Sequence, residues 1–186
     1  NGVIDGNLSI GEDGAVTVGV SGITSAVDND GDITFNTSGD LTKNVTGDGT
    51  THIAGDIVNK ATIDQDVDIT RGSSLESHTD NLGGAINNNG DLLLRGAISD
   101  IITGSGETTI NETLNLLDGS GVEGTLDLNA GTVSTVDSKI SDIEIGKLVN
   151  DGTFTIDVDG AAKKADKFIV GEDSDASIFI DDINLT

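Results

Sequence analysis

The stretch "VDNDGDITF" (27–35) returns as "INNNGDLLL" (86–94) and again as "LVNDGTFTI" (148–156). Each copy starts apolar, sets Asn at its third place and Gly at its fifth, and then alternates apolar with other residues. Gly31 to Gly90 spans 59 positions and Gly90 to Gly152 spans 62. A second pair, "VTGDGTTHI" (45–53) and "ITGSGETTI" (102–110), starts 57 apart. A period near 60 is too long for one turn of a β-solenoid and is read as about three turns of roughly 20 residues each. Asn29, Gly31, Asn88, Gly90, Asn150 and Gly152 are then corner residues. Gly or Asn supplies the left-handed or tight conformation, and Asn side chains stack as an amide ladder.

The rest of the chain has the same texture. "AVTVGV" (15–20), "TLNLL" (113–117), "TLDLN" (125–129), "DIEIG" (142–146) and "TFTIDVD" (153–159) alternate apolar and polar residues between DG, GD, NG and SG turns. No segment keeps a helical period over three turns. The fold expected is all-β: a right-handed parallel β-helix of about nine rungs, with an antiparallel β-sandwich as the alternative. Hairpins of a sandwich would not predict repeats of this length. Ile33, Phe35, Leu92, Leu94, Phe154 and Ile156 are expected to point inward. Residues 1–147 read as rungs, and 148–186 as a C-terminal capping segment of the same domain.

Composition restricts the chemistry. The chain of 186 residues has no Pro, Cys, Met, Trp or Tyr, so no thiolate metal site or disulfide is available. Stability must rest on backbone hydrogen bonds and on Ile, Val and Leu. Against 33 acids stand 9 bases, a formal net charge of −24. Nucleic acid and anionic membrane faces need basic residues to neutralise phosphate, so neither is an expected partner. The charge fits a secreted or surface protein kept soluble by repulsion. The start "NGVID" lacks Met, as in a mature or excised piece.

The stretch "GGAINNNGDLLLRG" (83–96), followed by "ITGSGETTI", resembles the repeats of AIDA-type autotransporter passenger domains. "GTFTIDVDGAAKKADKFIVGEDSDASIFIDDINL" (152–185), with "ADKFIV" at 165–170, is similar to the C-terminal portion of pertactin-like passengers. The resemblance covers about residues 31–186. It implies a module on the outside of a Gram-negative cell, acting in adhesion, aggregation or display. Its partners would be a host or neighbouring-cell protein or glycan, or further copies of itself. It also implies that 148–186 caps the helix and assists folding, with Phe168, Val170, Ile178 and Ile180 over the last apolar edge. A membrane barrel, absent here, would supply the only membrane link.

Candidate chemistry is sparse. His52 and His78 lie in no nucleophile motif, and alternation makes His52 a surface strand residue. Asp64, Asp66 and Asp68 in "TIDQDVDIT" share one strand face, with Arg71 close behind. In a Ca²⁺-dependent polysaccharide lyase such carboxylates would hold the ion and the basic residue would take a proton. The alternative is a solvated face that discourages lateral aggregation. Asp28, Asp30 and Asp32 in "DNDGD" resemble the start of a Ca²⁺ loop, but the twelfth position is Gly39 rather than an acid. The expectation is a protein without catalytic residues or cofactor, the extracellular lyase being the alternative.

Overall fold

The computed structural model describes residues 3–149 and 152–171. Short strands stack in parallel as a right-handed β-helix of about 8 turns. Right-handed closure is the usual outcome when twisted strands join by parallel crossovers. Two three-residue 3₁₀ turns, Val20–Gly22 and Thr79–Asn81, are the only helical pieces among the described residues.

Each turn has three faces. The first face runs through Leu8–Ile10, Val27–Asn29 and Val45–Thr46, then single bridges at Ile63 and Leu82. Farther along, it comprises 96–98, 114–116, Thr132–Ser134 and Thr153–Thr155. The second stacks Ala15–Val18, Asp32–Phe35, Thr50–Ile53, Asp66–Ile69 and Ile86–Asn88. It continues through 101–103, 121–122 and 142–145 to Lys167–Val170. The third stacks Gly39–Leu41, Asp56–Asn59, Ser74–His78, 91–95, Glu107–Thr109, 125–127 and 147–149.

Register gives the turn length. Val27 pairs with Val45, Gly39 with Ile57, and Ile57 with Leu75, each a step of 18 residues. The repeat of about 60 is therefore three turns and one face, rather than three turns of 20. "VDNDGDITF" rounds the corner from first to second face, and "INNNGDLLL" the corner from second to third. Gly152 lies between 147–149 on the third face and Thr153–Thr155 on the first. The motif walks once around the helix as it climbs.

That geometry corrects the amide ladder. Asn29 and Asn88 lie on different corners and cannot stack; Asn150 falls outside the described residues. Each buried Asn instead ties its corner to the turn above. Asn29 Nδ2 donates to Thr50 O at 3.2 Å, and Asn88 Nδ2 donates to Glu107 O at 2.9 Å. Gly90 N returns a bond to Asn88 Oδ1 at 3.1 Å, closing a local Asx turn.

The motif glycines are not left-handed either. A Cβ on Gly31 would lie 2.2 Å from Gly14 O, on Gly90 2.3 Å from Ser73 O, and on Gly152 2.3 Å from Gly131 O. Close approach to the corner below excludes a side chain. Within the repeats, positive φ occurs instead in the second motif, at Gly47 (φ 115°) and Gly104 (φ 95°), packed against Asn29 O and Asn88 O.

Alternation decides what is buried. Ile33, Phe35, Leu92 and Leu94 point inward and are at most 1% exposed. Phe154 packs against the core and meets Phe168 edge to face, ring centroids 4.8 Å apart. Ile156 contradicts expectation and is 39% exposed. Its strand ends at Thr155, and the next residue is captured elsewhere: Asp157 N donates to Asp166 Oδ2 at 2.8 Å. Within the expected cap, Lys167–Val170 joins the second face with Phe168 and Val170 partly buried; Ile178 and Ile180 fall outside the described residues.

Candidate functional site

The second face of the early turns gathers chemistry that the sequence keeps apart. Strands Asp32–Phe35, Thr50–Ile53 and Asp66–Ile69 lie side by side in register, so Thr34, His52 and Asp68 form one outward column. His52 sits between two carboxylates: Nε2 is 3.2 Å from Asp32 Oδ1, and Nδ1 is 3.2 Å from Asp68 Oδ2. Asn87 Nδ2, one turn on, donates to the other Asp68 oxygen at 3.0 Å. A neutral imidazole donates to only one of these acids, whereas the imidazolium donates to both. The site thus knits four turns through polar contacts on the solvent side.

The other candidate acids do not converge. Asp66 Oδ1 accepts the Ala85 amide at 2.9 Å, and Asp30 Oδ1 accepts the Asp48 amide at 3.2 Å. Asp28, Asp30, Asp64 and Asp66 stand exposed along the corner between first and second faces. Arg71 lies in the Thr70–Ser73 turn, closed by Ser73 N to Thr70 O at 3.2 Å, and makes no ion pair among the described residues. No three His, Asp or Glu side chains among the described residues are placed to hold a metal ion. His78 caps a 3₁₀ turn on a different corner, its Nδ1 accepting from Asp80 N at 3.2 Å.

Two arrangements escaped the sequence reading. Asp32, His52 and Asp68 recur 20 and 16 residues apart, close to one turn of 18, and would have been seen as a stack had the turn length been read correctly. The other is Asp166, in "ADKFIV". It is buried, 7% exposed, and accepts from the Thr135 hydroxyl, the Ser141 amide at 2.9 Å and the Asp157 amide at 2.8 Å. One carboxylate thus gathers two long loops, 135–141 and 156–166. Nearby, Asp118 accepts Lys139 Nζ at 3.1 Å and Ser141 Oγ at 3.0 Å. The Lys139 hydrogen bond, then that of Ser141, then the Lys139 charge hold its carboxyl below the usual range.

Fold and surface define an acidic parallel β-helix with polar, in-register outer faces. No family model, curated protein or solved structure matches the chain.

Proposed function

We propose that the chain is a non-enzymatic surface module, the passenger part of an autotransporter of a Gram-negative bacterium, serving adhesion, aggregation or display. The single observation that carries this is the outer surface. On the second face, register stacks an outward polar column, Thr17, Thr34, His52, Asp68, Asn87 and Thr103, one residue per turn about 4.8 Å apart. Such a surface suits many shallow polar contacts, with avidity gained from multiple copies on a cell. A glycan array with the purified protein, and an aggregation assay with cells displaying it, test the reading. Binding or clumping above a non-displaying control is expected. Turnover of an acidic polysaccharide with Ca²⁺ that disappears in Asp66→Ala would overturn it.

A further inference from the structure

Charge is unevenly spread along the helix. Residues 1–138 hold 22 of the 33 acids and only 4 of the 9 bases, whereas 139–171 hold 6 acids and 5 bases. Two of these bases, Lys163 and Lys164, lie on one projection, and Lys167 follows it. Val158–Asp159 and Lys164–Ala165 pair antiparallel, the only antiparallel pair among the described residues, and 158–165 are all exposed. Asp159 Oδ1 closes the hairpin by accepting the amides of Ala161 and Ala162 at 2.9 and 2.8 Å. Asp166 fixes its base, since Asp166 N donates to Asp157 O at 3.0 Å while Asp166 Oδ2 accepts Asp157 N. The projection is a braced arm.

Lys139 and Lys167 are engaged by Asp118 and Asp142. Lys163 and Lys164, on the hairpin, form no ion pair among the described residues. Val158 on the arm (46% exposed) and Val136 (51%) and Ile156 (39%) near its base are exposed apolar side chains. Val136 and Ile156 are neighbours across turns, because Thr135 N donates to Thr155 O and Asp137 N to Asp157 Oδ2, both at 2.8 Å.

We propose that this arm, which carries Val158 and Lys163 and Lys164 against the single acid Asp159, docks onto the acidic corner of a second copy of the chain, at Asp28, Asp30, Asp48, Asp64 and Asp66. Those five side chains are exposed, share the corner between first and second faces, and have no basic partner among the described residues. Within one molecule the two surfaces lie five to seven turns apart, roughly 24–34 Å at the usual strand spacing. No lysine spans that distance, so the corner a given arm meets belongs to another copy. Arm and corner are different surfaces, so the contact is heterologous and chains copies in one direction. This deepens the aggregation reading by naming the partner.

Two charges of −24 repel, and screening decides the outcome. At about 0.01 M salt the Debye length is ~30 Å and whole-body repulsion holds copies apart; at about 0.15 M it is ~8 Å, leaving contact pairs intact; at about 1 M it is ~3 Å and the pairs fade. Self-association therefore peaks at intermediate salt. Sedimentation velocity of the full chain across these three salts should show that maximum. Lys163→Glu/Lys164→Glu should lower the association constant about tenfold. Mixing that variant with an Asp30→Lys/Asp64→Lys copy should restore it. Carbodiimide cross-linking of isotopically light and heavy copies should join Lys163 or Lys164 to the acidic corner of the other copy. A chain monomeric at all three salts, association unmoved by the charge reversal, or cross-links confined to acids in 172–186 of the same copy would each overturn the proposal. Association in solution without clumping or ligand binding on cells would instead count against the display reading alone.

Discussion

Replacing Gly90 by Ala tests the corner geometry most directly. The added Cβ would stand 2.3 Å from Ser73 O, 2.6 Å from Thr70 O and 3.0 Å from Ile69 Cγ2. Two of these are backbone atoms of a closed turn, which cannot swing aside as a side-chain tip can. Relief requires the two corners to part by about 1 Å, an overpacking strain of about 1–3 kcal/mol. Parting also stretches the bonds that join them, Asp91 N to Ser73 O at 3.0 Å and Asn89 N to Ile69 O at 2.9 Å, each contributing about 1 kcal/mol. The expected loss is about 2–4 kcal/mol, a fall in Tm of roughly 5–15 °C for a chain of this size. Gly31→Ala should cost the same, because Gly14 O and Gly11 O stand at 2.2 and 2.5 Å at its own corner. Gly152→Val meets Gly131 O and Leu128 O at 2.3 and 2.5 Å and should cost at least as much. Gly11→Ala is the control: nothing lies within 4 Å and its φ is not left-handed, so it should be neutral or stabilising by up to about 1 kcal/mol. Thermal and urea unfolding followed by circular dichroism supply the comparison. Equal midpoints for Gly90→Ala and Gly11→Ala would refute close packing of corners as the reason for the motif.

Asp166→Ala strands the Ser141 and Asp157 amides, leaves the Thr135 hydroxyl only Thr155 O at 3.4 Å, and should cost about 2–5 kcal/mol, concentrated in the loops it gathers. Hydrogen exchange should speed at Ser141 and Asp157 while the early turns stay protected; unchanged protection would contradict the clasp. Asp118, its carboxyl held low chiefly by Lys139, should titrate by NMR below an ordinary Asp, and Lys139→Gln should bring it up. The sign follows: with the folded value depressed, this contact stabilises above the unfolded pKa and is lost as pH falls through the folded one. A Lys139→Gln variant whose Asp118 titrates unchanged would remove that lysine as the cause.

The sequence by itself determined the class of fold and most of the core. Period-2 alternation puts Ile33, Phe35, Leu92 and Leu94 inside whatever else happens, because a strand presents only two sides. The thrice-written Asn-Gly motif marks corners for an equally local reason, since its glycines must pass against the backbone below. Turn length lay beyond that local information. A repeat of 60 divides as three turns of 20 or as three turns of 18 plus one face, and only the hydrogen-bond register chooses between them. With that choice came everything that depends on which residues stack: the loss of the amide ladder, and His52 lodged between Asp32 and Asp68. Alternation also failed at Ile156, where Asp166 takes hold of the neighbouring amide and ends the strand. Contacts between residues far apart in the chain are set by how turns are layered, and layering belongs to the tertiary structure alone.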